Sequence, residues 1–215
     1  MKILLLNQTF YPDVAATAQH LTELAIELRK RGHEVSVLTS RRAYDSPDKL
    51  YAPYELWKGI KIRRLVGTGL GKNAKWKRAV DFASFGIKCA LRLIFSPRYD
   101  AVIALTSPPL VAALGALVCR INGGKLFYWV MDLNPDEAVA AGWLKKTGRL
   151  THLLEEVSRY SLRHSHRIIT LDRFMRDLIL KKGIDPETVK VIPPWAHDDA
   201  VQFDPWIPPQ IGDRS

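Results

Sequence analysis

One carboxylate follows an apolar stretch of the sequence at a point where it could act on a substrate hydroxyl. Asp132 lies two residues after Lys125–Val130, a short apolar run typical of a buried strand. At the mouth of a sheet, a carboxylate can orient or deprotonate a hydroxyl group, so Asp132 is the candidate catalytic residue. Asp136 and Glu137 follow closely, and the alternative for these two is that they simply begin a helix.

The loop after the first apolar run has small residues that would let the backbone approach a ligand. Ala15, Ala16 and Thr17 precede an amphipathic stretch, and the N-terminus of a helix there could hold a phosphate group. The loop lacks the G-x-G-x-x-G pattern of dinucleotide-binding proteins. An ordinary long loop would explain these residues equally well.

Two hydroxyl residues precede a pair of prolines in the middle of the chain. Thr106 and Ser107 stand before Pro108 and Pro109, an arrangement typical of a helix N-cap. Capping is the simpler interpretation, and a ligand contact is the alternative.

Other patterns in the sequence imitate functional sites without meeting their chemical requirements. Residues 67–73 contain three glycines and a lysine, but the spacing and the missing Ser or Thr after the lysine argue against a P-loop. His164 and His166 lack a neighbouring carboxylate, so we expect no metal site there. Cys89 and Cys119 lie in apolar runs and are expected to be buried hydrophobic residues.

The elements that would position these residues alternate between strand and helix. Such alternation predicts a three-layer α/β sandwich with a mostly parallel sheet of about seven strands, in which the strand ends gather the candidate residues at one edge. The predicted strands are Lys2–Leu6, Glu34–Thr39, Ile60–Leu65, Ala101–Leu105, Lys125–Val130, Arg167–Leu171 and Val189–Ile192. The predicted helices are Ala18–Arg31, a basic helix beginning near Trp76, Pro109–Ile121, Arg149–Arg163 and Arg173–Lys182.

An uncharged segment has about the length of a membrane-spanning helix. Ala101–Cys119 carries no charge, but Pro108 and Pro109 in its middle would break a helix, so the segment is predicted to be a buried strand, a turn and a buried helix. No long apolar stretch follows Met1, so we expect a cytoplasmic protein.

The net charge of +10 is concentrated in one part of the chain. Between Lys58 and Arg98 there are eleven basic residues and one acid, Asp81, so the rest of the chain is neutral. Four of these basic residues and a tryptophan form what we call the membrane cluster, which is expected to bind an anionic membrane surface. The alternative is a solvated helix whose apolar face packs on the sheet. Nucleic acid binding is less favoured because no known nucleic-acid-binding motif is present. The membrane cluster comprises Lys72, Lys75, Trp76, Lys77 and Arg78, and the apolar face comprises Trp76, Val80, Ala83, Ile87, Leu91 and Ile94.

Four segments of the sequence resemble family 4 glycosyltransferases, which have the GT-B fold. The four are Phe10–Gln19, Leu28–Val35 with its RGHEV signature, Tyr99–Ala104 with Thr106–Pro109, and Val191–Trp195. They occur in the family's order and cover only the N-terminal half of the family's length. The resemblance therefore implies a Rossmann-like acceptor-side domain over residues 1–192, an irregular tail over residues 193–215, and a donor-binding domain that is absent.

The resemblance also implies an activity and a site. Such enzymes move a sugar from a nucleotide-sugar donor to a lipid-linked or polysaccharide acceptor at the cytoplasmic membrane face, without a metal or a cofactor and with retention of configuration. Asp132 stands where the family carries a residue near the acceptor hydroxyl, and Ala15, Ala16 and Thr17 replace the Gly-Gly pair that approaches the donor diphosphate. The implied acceptor contacts are Tyr11, Pro12, Thr106, Ser107, Asn134 and Asp136.

The short chain has consequences for activity and partners. A separate chain could supply the donor domain, and the isolated chain is expected to have little or no activity. The alternative function is a non-catalytic module that docks on a membrane or on a partner chain.

Overall fold

The chain forms a strand–helix alternation over nearly its whole described length. The computed structural model describes residues 1–46, 48–70 and 75–195, without the side chains of Lys75 and Arg78. The strands are β1 (Lys2–Leu6), β2 (Glu34–Ser40), β3 (Tyr54–Trp57), β4 (Ile60–Leu65), β5 (Ala101–Ala104), β6 (Lys125–Val130), β7 (Arg167–Thr170) and β8 (Val189–Val191). The α-helices are α1 (Ala16–Lys30), α2 (Lys75–Ile94), α3 (Val111–Asn122), α4 (Asp136–Ala140), α5 (Arg149–Arg163) and α6 (Arg173–Lys181), and Pro186–Thr188 form a 3₁₀ turn.

The strands form one sheet in the order β3-β4-β2-β1-β5-β6-β7-β8. All pairings are parallel except that of β3 with β4. In chain order, β2 and then β4 are added to the sheet on one side of β1, and β5 is then added on the other side of β1. The predicted Rossmann-like α/β fold is confirmed. The direction in which strands are added changes between β1 and β5, and we call this place the reversal point of the sheet.

Alternating side chains of the strands give the sheet two buried faces. One face packs against α2, α3, α5 and α6, with Leu4, Leu126 and Ile168 at its centre. The other face packs against α1 through residues such as Leu5 and Leu21. Burying these apolar side chains is the main favourable term in the folding of the domain.

The sheet has eight strands, one more than predicted, because the stretch between the second and third predicted strands contains the edge strand β3. Lys58 and Gly59 both have positive φ, at 48° and 75°, which is the geometry of a two-residue hairpin turn. This turn sets Trp57 opposite Ile60 and gives an antiparallel pair. The Lys-Gly turn beside the alternating Tyr54–Trp57 was the sequence signal for this hairpin.

The uncharged segment Ala101–Cys119 is divided as predicted. It forms β5, a turn and most of α3, and Val102 and Cys119 both belong to the sheet's core. Among residues 1–46, 48–70 and 75–195, no helix combines the length and the apolarity that a membrane crossing requires.

The orientation of α2 differs from the alternative in which its marked apolar face packs on the sheet. Phe85, Cys89 and Leu93 are the residues that pack, and all three are at most 2% exposed. The predicted apolar face, from Trp76 to Ile94, points away from the sheet and is exposed. The helix is therefore apolar on two sides, and periodicity alone did not show which side the sheet covers.

The ion pair of Arg64 holds the β3–β4 hairpin to the first loop. Its side chain is buried, pairs with the Glu55 carboxylate at 2.7 Å and donates to the Tyr11 carbonyl at 2.9 Å. We expect Arg64→Ala to lower the free energy of unfolding by about 3 kcal/mol, because it leaves a carboxylate and carbonyl groups without their partner. Urea unfolding measures this change.

Arg63→Ala is the matched control, because Arg63 is the exposed neighbour on the same strand. We expect a change of less than about 0.5 kcal/mol for this variant. Equal effects of the two substitutions would contradict the structural role of Arg64.

Candidate functional site

A buried amide joins the two loops that leave the sheet at the reversal point. Asn7 follows β1 and is fully buried. Its Nδ2 donates to the Thr9 carbonyl at 2.8 Å and to the Thr9 hydroxyl at 3.0 Å, and its Oδ1 accepts from the Ser107 backbone N–H at 3.2 Å. The loop after β1 and the loop after β5 are thereby held at a defined separation.

The same network reaches the start of α1. The hydroxyls of Thr9 and Thr17 lie 3.1 Å apart, and Ala15 has an extended N-cap conformation without a side-chain hydrogen bond to the helix. No acidic residue occupies the first turn of α1. The N–H groups and the positive dipole end of a 15-residue helix therefore face the space beside β1.

These loops border a cleft of about 580 Å³ at the carboxyl ends of the strands. Seven of the predicted site residues line it, so the structure brings the three predicted segments together. The seven are Ala15, Ala16, Thr17, Thr106, Ser107, Asp132 and Asn134. Their functional roles stay predictions.

Asp132 lies on the cleft wall beyond β6 and is exposed. The Thr106 hydroxyl donates to its Oδ2 at 3.3 Å, and Thr106 itself is buried. Within residues 1–46, 48–70 and 75–195, the structure shows no hydrogen bond to the other carboxylate oxygen, so Asp132 can accept a proton or a hydrogen bond from a bound hydroxyl.

Glu137 provides a second carboxylate in the cleft. From the sequence alone, this residue was expected only to begin a helix. The side chain accepts the Leu133 backbone N–H at 2.9 Å, and it lines the cleft together with Asp132. Burial raises the pKa of the Glu137 carboxyl, and the negative charge of Asp132 adds to this effect. Two carboxylates whose charges interact therefore share the cleft.

The opposite wall consists of residues that the sequence analysis did not select. Arg42 donates to the carbonyls of Gly67 and Thr68 at 3.3 and 3.4 Å. Gly69, at φ 69°, lies so close that a Cβ there would be 2.2 Å from the Arg42 guanidinium group. The glycines of the rejected P-loop pattern therefore accommodate an arginine, and the part of that pattern from residue 71 to 73 lies outside the described residues.

Three of the predicted acceptor contacts do not line the cleft. The ring of Tyr11 stacks on Trp57 with 4.1 Å between centroids, and Pro12 is exposed beside it. Asp136 forms an ion pair with Lys182 at 2.8 Å. Of the membrane cluster, Trp76 is exposed with Lys77 above its ring, whereas Lys72 and the side chains of Lys75 and Arg78 lie outside the described part of the chain.

Comparison with known proteins gives the family. The family model of Glycosyltransferase Family 4 matches residues 17–199. The chain belongs to this family. Its fold is the Rossmann-like α/β fold found in GT-B glycosyltransferases.

Two relatives of this family 4 chain are bacterial. WcaI of Escherichia coli K12, assigned as a colanic acid biosynthesis glycosyl transferase, is 23% identical over 211 residues, which cover 92% of this chain and 51% of WcaI. WbjE of Pseudomonas aeruginosa, assigned as a glycosyltransferase, is 29% identical over 117 residues, which cover 54% of this chain and 28% of WbjE. The family 4 chain thus spans about half the length of WcaI.

A solved structure shares the fold. The crystal structure of Anabaena HepE in complex with UDP-glucose superposes with a TM-score of 0.52 at 17% identity, covering 90% of this chain and 43% of HepE.

The interaction between the two cleft carboxylates can be tested by NMR. We expect the Glu137 carboxyl carbon to titrate above the ordinary value of 4.5, because burial disfavours its charged form. In Asp132→Asn the midpoint should fall towards 4.5 without reaching it, because one source of the raised pKa is removed.

Glu27 provides the internal reference for this titration. The Arg31 guanidinium hydrogen-bonded to it lowers the pKa of the Glu27 carboxyl, so Glu27 should titrate below 4.5 in both proteins. A Glu137 midpoint that does not respond to Asp132→Asn would show that the two carboxylates do not interact.

The Asn7 amide offers a test of how the loops are held. Asn7→Ala leaves the Ser107 N–H and the Thr9 carbonyl without their partner, so we expect a loss of about 2 kcal/mol in the free energy of unfolding. Amide hydrogen exchange at Ser107 should also become faster. Asn122→Ala, at the end of α3, is the control, and an equal loss in both variants would contradict the role of Asn7.

Proposed function

We propose that this chain forms the acceptor side of a sugar transferase that uses a nucleotide-sugar donor. The observation that carries the proposal is the convergence of Asp132, Thr106 and the N-terminus of α1 on one cleft at the reversal point of a parallel sheet. Membership of the family supports sugar transfer. The HepE complexes with UDP-glucose and UDP support a nucleotide-sugar donor.

Each wall of the cleft has a role in the proposed reaction. Asp132 accepts a hydrogen bond or a proton from the acceptor hydroxyl, and the buried Thr106 hydroxyl orients its carboxylate. The N–H groups at Ala16 and Thr17 and the dipole of α1 stabilise negative charge on the departing diphosphate. Ser107 and Asn134 contact the acceptor. Tyr11, Pro12 and Asp136 do not line the cleft, so they would contact only those parts of the acceptor that extend beyond it. We propose transfer with retention and without a metal or other cofactor, as the family resemblance implies.

The charge of the cleft favours a hydroxyl acceptor over a diphosphate. Among the described lining residues, Arg42 is the one basic side chain, against the three carboxylates of Asp81, Asp132 and Glu137. A diphosphate therefore needs further positive groups, which we assign to the additional length present in the relatives, in the same polypeptide or in a separate chain. This chain alone should accordingly transfer sugar slowly or not at all.

We propose a lipid-linked or polysaccharide acceptor in the synthesis of an envelope polysaccharide, at the cytoplasmic face of the membrane. The assignment of WcaI to colanic acid biosynthesis supports this acceptor class. A second candidate function is a non-catalytic docking module, which the exposed apolar face of α2 favours.

Substitution of Asp132 separates these candidates. In the whole protein, with a donor and an acceptor that support turnover, Asp132→Asn should lower the release of nucleoside diphosphate by about 10²- to 10⁴-fold, because an amide cannot accept the proton. Asp177→Asn, on an exposed position of α6, is the matched control and should keep full activity. Full turnover in Asp132→Asn would refute the role of Asp132, and no turnover with any nucleotide sugar when a donor-binding domain is supplied would favour the docking module.

A further inference from the structure

The outer side of α2 exposes an apolar surface that the proposed sugar transfer does not use. Ile87, Leu91, Ile94 and Phe95 are between 56% and 79% exposed, although each is a large apolar residue. Ile87, Leu91 and Ile94 lie at helical spacing on the side of α2 away from the buried Phe85, and Phe95 follows the last residue of the helix, so their exposure follows from the packing of α2.

The neighbouring helix continues this surface. Helices α2 and α3 pack side by side on the same face of the sheet, and Leu117 and Ile121 of α3 are 45% and 69% exposed. Arg98, which follows α2, reaches the end of α3 and lies against Gly123. We name the six exposed apolar residues of this surface the α2–α3 face: Ile87, Leu91, Ile94, Phe95, Leu117 and Ile121. Soluble domains rarely expose a contiguous apolar area of this kind without a partner.

Basic residues border the α2–α3 face. Lys88, Arg98 and Arg120 lie close to its members along the chain, and all three are exposed. The segment from Lys58 to Arg98 has Asp81 as its one acid, and α3 has none. Asp81 lies at the cleft, where it accepts hydrogen bonds from the Thr68 hydroxyl and the Leu70 N–H, so it does not neutralise this border.

We infer that the α2–α3 face inserts into the surface of a membrane that contains anionic lipid. Exposed aliphatic and aromatic side chains bordered by lysine and arginine match the two layers of such a surface, acyl chains below and phosphate headgroups above. A second copy of the chain is a poorer occupant, because a symmetric contact would bring two basic borders together.

This assignment differs from the sequence prediction in its location. The predicted membrane cluster lay at the N-terminal end of α2, whereas the exposed apolar residues extend to the C-terminal end and onto α3. The whole 20-residue length of α2, roughly 30 Å, would therefore lie along the membrane plane.

The docked orientation places the cleft at the membrane. Asp81 and Phe82, near the N-terminal end of α2, line the cleft, so its mouth lies at one end of the membrane-facing helix. A lipid-linked acceptor could enter the cleft without leaving the bilayer. This consequence rests on the proposed function, whereas the docking itself does not.

Vesicle co-sedimentation without donor or acceptor tests the docking. The full chain should bind vesicles of phosphatidylcholine with 30% phosphatidylglycerol, a composition on the order of that of anionic membrane surfaces, and bind pure phosphatidylcholine at least about tenfold more weakly. Replacing Ile87 and Leu91 by Glu should lower the partition coefficient by about tenfold or more, because two anchors are lost and two repelling charges are added.

Phe174 and Leu178 supply the matched control, since they are exposed apolar residues four positions apart on α6. Their double replacement by Glu should change binding by less than about threefold, because α6 lies outside the α2–α3 face. Circular dichroism verifies that both variants are folded, which their surface positions favour.

The outcomes are distinct. Equal losses in the two variants, or binding that ignores anionic lipid, would overturn the inference. So would sedimentation equilibrium showing a dimer that only the α2 variant dissociates, because the face would then be covered by a second copy. Vesicle binding together with full turnover of Asp132→Asn would refute the proposed role of Asp132 and leave the docking intact, and failed docking with an active enzyme would leave the proposed transfer intact.

Discussion

The geometry of the cleft depends on the hydrogen bonds of one buried amide. Asn7 sits at the end of β1, and its donors and acceptor join the loop before α1 to the loop before α3. Since β1 and β5 flank the reversal point of the sheet, this amide sets the distance between the N-terminus of α1 and Thr106. Thr106 in turn orients Asp132 from the next strand, so three loops from three strands share one support.

Electrostatics divides the chain into two regions with different tasks. The cleft holds three carboxylates and one guanidinium group, although the chain as a whole carries a net charge of +10. The positive charge lies on the segment that contains α2, whose outer side is apolar. An acceptor that carries its reacting hydroxyl on a neutral sugar and arrives from an anionic surface would suit both regions, whereas the proposed anionic donor would need positive groups from elsewhere.

The sequence predicted the fold well because strand and helix differ in hydrophobic period, and the strands carrying Asp132 and Thr106 were placed correctly. The sequence did not predict β3, because a four-residue edge strand has too few buried positions to give a clear hydrophobic pattern. Arg42 was not predicted as a site residue, and Gly69 was considered only within the rejected P-loop pattern, because both lie far from Asp132 along the chain and the order of the strands brings them to the same cleft. The sequence left open which side of α2 the sheet covers, because both sides of that helix are apolar.

The central claim is that the three loops form one binding site, and a titration followed by NMR tests it most directly. A polyprenyl-diphosphate-linked sugar in neutral detergent is added to the labelled chain, with detergent alone as the blank. Our account predicts that the amide signals of Thr17, Thr106 and Asp132 shift together with a single saturation curve. Shifts confined to other parts of the chain, or different curves for the three loops, would contradict it.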